Sequence, residues 1–298
     1  MNRHHDWSSP GFGAVSVAPA LGPFPRSDFL RTTAVDHTEI FESVAGIVSL
    51  DVAGDLVTFT GPSDLTDYHS PLGSDPAALM ESVVAVLDSR CRFDLDSLPI
   101  EAAEPLAKGL NCAGVAVEIV PHTVAAVLDL PASFDEYLAL IGKKQRHELR
   151  RKRRRYEELV GEPVFESHHG EGWAFDEFVR LHRMSGGGKG RFMDAEHEAF
   201  FRALVHQAGW RIDLLRIPGT DSAAACLFVF ADSEGMYLYN SAYDPALADA
   251  SPGMAMLGAA IEAGINSGSP RFDFLKGDEI YKFRLGAVER ALYRVVST

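Results

Sequence analysis
The sequence predicts an α/β chain with mixed α+β sheets in two lobes, and two observations in its second half carry that reading. Three short strands follow one another at 211–217, 224–230 and 236–242. Their connectors, Pro218-Gly219-Thr220-Asp221 and Asp232-Ser233-Glu234-Gly235, are short and turn-like, which makes an antiparallel meander. A helix over 252–266 and a strand over 271–275 come next, so a crossover sets one parallel pair beside the antiparallel strands. Such a junction is where an α/β sheet tends to open into a ligand crevice.

The other elements read as follows. Residues 1–25 are rich in Gly, Pro and Ser without a period and look like a flexible arm or loop. Helix-like stretches cover 38–44 and 75–89. The second has Ser74 or Asp75 as a cap, Pro76 in its first turn, and Leu79, Val83, Val86 and Leu87 at helical spacing. Between them, 47–52 and 56–60 flank Ala53-Gly54-Asp55 as a hairpin. Short strands follow at 92–95, 115–120 and 124–130. One long helix is expected over 133–160, opened by Ser133 with Glu136 and closed by Gly161 and Pro163. Helices over 172–182 and 195–208 precede the meander, and a short helix over 279–285 and a strand over 291–296 end the chain. The resulting division is a first lobe at 1–132, a basic linking helix at 133–161 and a second lobe at 162–298.

Composition narrows the function. A hydrophobic fraction of 46% and a charged fraction of 23% belong to a globular chain. A net charge of −14 does not suit a default nucleic-acid binder. The longest apolar run, 115–130, is broken by Glu118, Pro121 and His122, so no transmembrane segment is expected. With no signal-like segment after Arg3, a soluble cytoplasmic chain is expected. Cys91, Cys112 and Cys226 are far apart and make no CxxC pair, so they read as buried thiols without disulfide or zinc.

The segment 243–257, YDPALADASPGMAML, carries the most weight. Ser251 suits a cap, Pro252 the first helical position, and Gly253 leaves the backbone open to close approach. Free amides and the helix dipole at such a start can hold a phosphate; an ordinary Ser-Pro helix start reads the same way.

The surrounding pattern resembles a known group. Tyr243-Asp244-Pro245, Ser251-Pro252-Gly253, Asp273-Phe274-Leu275, Gly277-Asp278-Glu279 and Tyr281-Lys282 occur in order. The upstream ELRRKRRR at 148–155 and LHR with its following glycines at 181–190 complete it. Over about 130–298 this resembles the cellulose-biosynthesis-type (CelD/BcsL-like) GNAT acyltransferases, relatives of the Fem aminoacyl/peptidyl transferases. The resemblance implies tandem GNAT-like lobes and acetyl-CoA or another acyl-CoA as co-substrate. The pyrophosphate would rest on the amides of Ser251, Gly253 and Met254, beside Pro252. The pantetheine would lie between strands 236–242 and 271–275. Backbone N–H groups of Asn240, Ser241 and Ala242 would polarise the thioester carbonyl.

Acyl transfer to an amine needs a proton acceptor. Asp278 lies just past a strand end, and Lys282 follows at i+4, where the two can pair on one helix face. Asp278 fits a base or acceptor-orienting group, with Lys282 orienting the acceptor; a helix cap with a surface ion pair fits as well. Asp273 can face a crevice or solvent. Tyr243 fits a general acid for the leaving thiolate, or a plain core or rim tyrosine.

The segment 143–155, KKQRHELRRKRRR, carries nine Lys/Arg against one Glu, leaving the rest of the chain at −22. Arg150, Arg151 and Arg154 are candidates for holding an anionic acceptor, RNA such as tRNA, or an anionic membrane surface; pairing with the protein's own acidic surface is the simpler alternative. Lys189 joins them from Ser185-Gly186-Gly187-Gly188-Lys189-Gly190, which lacks the first Gly and the final Ser/Thr of a Walker loop and reads as a mobile acceptor-side loop. There is no GxSxG elbow or HExxH, and the pairs His4-His5 and His168-His169 are adjacent, so no metal is assigned.

The expected function is transfer of an acyl group, first of all acetyl, to an amine or hydroxyl of a sugar-, lipid- or amino-acid-derived small-molecule acceptor, with an envelope- or polysaccharide-related acceptor in view. The rivals are a Fem-like transferase using aminoacyl-tRNA and a non-catalytic GNAT-like binding protein that works through the basic helix.

Overall fold
The computed structural model describes residues 1–298 apart from the side chain of Lys189. In chain order the elements are β1 Asn2–His4, α1 Ser27–Thr33, β2 Thr38–Ser43, β3 Gly46–Ala53, β4 Leu56–Phe59, β5 Leu72–Gly73, α2 Pro76–Val84, β6 Arg92–Leu98, α3 Ile100–Cys112 and β7 Val117–Asp129. There follow α4 Phe134–Leu140, α5 Lys143–Leu159, β8 Val164–His168, α6 Trp173–Met184, α7 Gly187–Phe192, α8 Ala195–Val205, β9 Trp210–Arg216, β10 Ala223–Asp232 and β11 Gly235–Tyr243. The chain ends with α9 Pro252–Asn266, β12 Arg271–Lys276, α10 Ile280–Arg284 and β13 Val288–Ser297.

Two compact units result. One comprises Met1–Ala125 with Glu289–Thr298, the other Ala126–Val288. This differs from the division expected from sequence, because the last strand returns to the first unit and the basic helix belongs to the second.

In the first unit the strands run β1-β2-β3-β4-β6-β13, and β5 also pairs with β3. β4 and β6 are parallel, with Leu56 opposite Arg92 and Val57 opposite Phe93; the helix between them is α2, capped by Asp75 Oδ1 on the Ala78 amide at 3.0 Å. The stretch expected as a helix over 38–44 is the strand β2 instead. Ile40 and Phe41 are fully buried, and pairing with β3 satisfies the backbone. Residues 1–25 form more than an arm: β1 pairs with β2, and Ala18, Leu21 and Phe24 are buried. The two strands expected at 115–120 and 124–130 are one, β7, since the fixed φ of Pro121 is compatible with extended chain.

In the second unit the order is β12-β11-β10-β9-β8, parallel between β12 and β11 and antiparallel elsewhere. β10 is central and is buried from Ala223 to Phe230, as a strand covered on both faces must be. The long helix expected over 133–160 is broken. Ser133 does cap α4 through the Glu136 amide at 3.2 Å. Ile141 and Gly142 are then extended (ψ 146° and 148°), and α5 starts afresh at Lys143. Burial of Ile141 and the bond from Arg146 Nη1 to Leu138 O at 2.9 Å hold this elbow. The glycine-rich stretch read as a mobile loop contains α7. Of the three cysteines only Cys226 is buried; Cys112 is exposed. No helix among the described residues is long and apolar enough to cross a membrane.

Candidate functional site
The site takes shape where β11 and β12 part. They pair at Met236↔Phe272 and Tyr237↔Asp273, yet β11 runs on to Tyr243 and β12 to Lys276. Two local devices separate them. On β11 the register with β10 shifts between Phe228 and Val229, leaving Tyr239 unmatched as a bulge that bends the strand. On β12 Leu275 adopts a left-handed conformation (φ 60°), and its amide donates to Asp273 Oδ1 at 2.7 Å. Asp273 therefore faces neither crevice nor solvent: it is fully buried and ties down the backbone turn.

The open edge of β11 can be assigned by alternation. The Asp244 amide donates to Ala224 O at 2.9 Å, on the β10 side. By the period of two, the amides of Ala242 and Asn240 also face β10, and those of Tyr243 and Ser241 face the open edge. The Ser241 amide donates to Asn240 Oδ1 at 2.8 Å. Of the three backbone groups expected to polarise a carbonyl, one thus faces the opening, and the Asn240 side chain occupies it.

The start of α9 lies beside the end of β11: a Cβ added to Gly253 would stand 3.5 Å from Tyr243 Cδ1. Pro252 occupies the first turn as expected. Ser251 stands at the cap position in a left-handed conformation (φ 56°, ψ 49°) and makes no side-chain cap. Its amide donates to Ala248 O at 3.0 Å, and the Met254 amide to Ser251 O at 3.1 Å. Among the described residues, Gly253 is the one of the three expected anion-holding positions whose amide has no protein acceptor. Two cations of α5 supplement it: Lys152 Nζ lies 3.5 Å from Ser251 Oγ, and Arg155 Nε donates to Asp249 O. A dipole end with a free amide and two neighbouring cations suits a phosphate or pyrophosphate. Sequence reading missed Lys152 and Arg155 because only the packing of α5 on α9, through Leu149 against Gly258, decides which cations face this helix start.

Lys282 does not pair with Asp278. It is buried, with Nζ 2.9 Å from Glu279 Oε2 and donating to the carbonyls of Leu275, Lys276 and Gly277 at 3.3, 2.6 and 3.4 Å. Asp278 is exposed and caps nothing, since α10 begins after Glu279 without a side-chain cap. Burial would raise the Glu279 pKa, but the Lys282 ammonium outweighs it and holds the carboxyl below its usual range. Tyr243 is partly exposed at the rim of the opening.

On α5, Arg151 is engaged by Glu148 in a two-pronged pair at 2.8 and 2.7 Å. Arg153 bridges to Glu157 and Glu262. Arg150 and Arg154 are exposed and, with Lys143, Lys144 and His147, have no side-chain hydrogen bond or ion pair among the described residues. Residues 143, 147, 150 and 154 recur at helical spacing, so they form one stripe. The side chain of Lys189 lies outside the described residues.

Three further residues that sequence reading passed over shape the end of β11. Glu177 and Arg180 of α6 form a fork, both contacts at 2.7 Å. Glu177 Oε2 also accepts from the Ala223 amide at 2.7 Å, and Arg180 Nη1 reaches Asp244 Oδ2 at 4.0 Å. His182, fully buried, sets Nδ1 2.9 Å from Phe178 O and Nε2 2.8 Å from Asn240 Oδ1. The histidine followed by Arg183 within the LHR segment was the one available signal.

Residues 143–283 match the family described as acetyltransferase (GNAT) domain. This segment is a GNAT-type domain. It begins with α5 and contains the parted strands and the α9 start. No curated protein matches the chain. Among solved structures, FemX has a TM-score of 0.62 at 9% identity, covering 99% of this chain and 97% of its own. L-PGS from Bacillus licheniformis gives 0.59 at 12%, covering 91% of this chain and 86% of that one. The C-terminal domain of a candidate lysylphosphatidylglycerol synthetase from Agrobacterium fabrum gives 0.61 at 13%, with the same coverage. At these identities the likeness is one of fold. The GNAT-type domain therefore sits in a chain that shares its fold with these proteins over nearly its whole length.

Proposed function
We propose that the GNAT-type domain transfers an acyl group, first of all acetyl, from acyl-CoA to an amine or hydroxyl of a small sugar-, lipid- or amino-acid-derived acceptor. The observation that carries this reading is the parting of β11 and β12 beside the α9 start, where the Gly253 amide, Lys152 and Arg155 meet. An opening between two parted strand edges suits an extended pantetheine, and the cationic helix start suits its pyrophosphate. The acceptor nitrogen or oxygen attacks the thioester carbonyl, a C–N or C–O bond forms and the C–S bond breaks. The acceptor's proton goes to Asp278 or solvent, and the thiolate takes a proton from Tyr243 at the rim. Lys282 acts here by holding the β12–α10 turn that carries Asp278. The motif order supports the cellulose-biosynthesis-type group and an envelope- or polysaccharide-related acceptor, and the few, widely separated cysteines support a reducing cytoplasmic location.

Thermal unfolding with excess acetyl-CoA, longer acyl-CoAs and CoA tests the donor. A ligand at about 100 times its Kd adds about 2.7 kcal/mol of stability, a rise of about 4–5 °C for a chain of this size. The rise should be lost in Gly253→Phe. No rise with any acyl-CoA rejects the donor.

A second reading, aminoacyl-tRNA as donor, is favoured by the unpaired stripe at 143, 147, 150 and 154. Arg150→Ala with Arg154→Ala would then weaken tRNA binding and flatten its salt dependence, while leaving any acyl-CoA response intact.

A further inference from the structure
We infer that the side-chain amide of Asn240 is the donor that hydrogen-bonds the acyl carbonyl oxygen of the thioester, and that His182 is the positioning residue that aims it. The inference rests on the acyl-CoA reading.

The backbone cannot supply this donor as it stands. Alternation along β11 leaves Ser241 as the residue of 240–242 whose amide faces the open edge, and that amide already ends on Asn240 Oδ1 at 2.8 Å. The bond has a second consequence. An N–H pointing at the side-chain amide identifies the near atom as oxygen, because two N–H groups would repel. His182 Nε2, 2.8 Å from the same oxygen, holds it from the α6 side. With Oδ1 held by two partners, Nδ2 must project away from both.

Nδ2 has no hydrogen-bond acceptor among the described residues, and it is not among the buried polar atoms left without a partner. A donor that is neither satisfied within the protein nor sealed off is reachable by a ligand. Its residue lies beyond Tyr237↔Asp273, the last pair before the strands part, where the reading above runs the pantetheine.

The array is stiff as well as aimed. His182 is fully buried, and its ring packs at a tilt of 56° against Phe178 with a centroid distance of 4.3 Å. Asn240 itself follows the bulge at Tyr239, which offsets this stretch of β11 from its regular register on β10. A donor fixed before the ligand arrives costs little reorganisation when negative charge develops on the carbonyl oxygen.

The test is titration calorimetry of the full chain with two probes, acetyl-CoA and CoA, which differ in that CoA lacks the carbonyl. Asn240→Asp keeps the acceptor for the Ser241 amide and removes the NH2. The expected result is a wild type that binds acetyl-CoA more tightly than CoA, and an Asn240→Asp variant that loses about 3–10-fold of this preference, the worth of one hydrogen bond, with CoA affinity kept. His182→Leu should lose the preference too, and His182→Gln, which presents a donor near the Nε2 position, should restore it. Thermal unfolding of each variant without ligand checks the fold. An Asn240→Asp variant that keeps the full preference overturns the inference while the acyl-CoA reading stands. A wild type that binds neither probe overturns that reading, and the role of Asn240 with it.

Discussion
The ammonium of Lys282 lies 2.9 Å from the Glu279 carboxylate and, almost fully buried, also donates to three successive carbonyls at Leu275, Lys276 and Gly277. One side chain thereby satisfies the acceptors of the whole turn that leaves β12. The charge is held where the chain changes direction and Asp278 is presented to solvent.

Removing that ammonium leaves the carbonyls and Glu279 without their donor. Lys282→Met keeps most of the volume and should cost about 1–3 kcal/mol, in line with leaving buried carbonyls without their donor. Urea unfolding measures it. A variant of unchanged stability that has lost only turnover would instead make Lys282 a participant in the chemistry.

Gly277 has φ 115°, and a Cβ there would lie 2.4 Å from Glu279 Oε2 and 3.0 Å from Lys282 Nζ. Gly277→Ala should therefore destabilise by about 1–3 kcal/mol through backbone strain and push the ion pair apart. A melting temperature equal to wild type would count against this account of the turn.

Glu177 gives a pH dependence with a definite sign. Burial would raise its pKa, but the Arg180 fork and the Ala223 amide outweigh burial and hold it below the free value of 4.5. The folded state then binds its proton less readily than the unfolded chain, so this contribution is complete above the unfolded pKa and fades as pH falls through the folded one. Glu177→Gln should be less stable than wild type at pH 7, and the gap should narrow towards pH 3. A gap that widens on acidification would reverse the sign.

Gly253 separates folding from donor binding. A Cβ at this position meets Tyr243 Cδ1 at 3.5 Å, an ordinary contact, and alanine favours a helix over glycine by up to about 1 kcal/mol. Gly253→Ala should fold at least as well as wild type. Lys152→Ala should leave the fold intact and lower acyl-CoA affinity by about 1 kcal/mol, more at low salt than at high. Calorimetric titration at two salt concentrations checks both effects together.

Elements whose identity depends on neighbours in the sequence were legible beforehand. The three strands of the meander, Asp75 and Pro76 opening α2, Ser133 capping α4 and Pro252 opening α9 rest on turn chemistry, caps and periodicity, all of which act within a few residues. The order of strand, helix and strand that makes the parallel pair, and the excess of cation at 143–155, also follow from sequence alone. Tertiary structure decided what depended on distant partners. Thr38–Ser43 became a strand because β1 and β3 flank it, and the helix expected over 133–160 broke because Ile141 is buried and Arg146 closes the elbow. Lys282 chose Glu279 and three carbonyls over Asp278 through the turn at Gly277. His182 and Asn240 are far apart in the chain and were joined only when α6 packed on the bulged strand β11. Caps and turns are set by contacts a few residues away, whereas the direction of a buried donor is set by which element covers it.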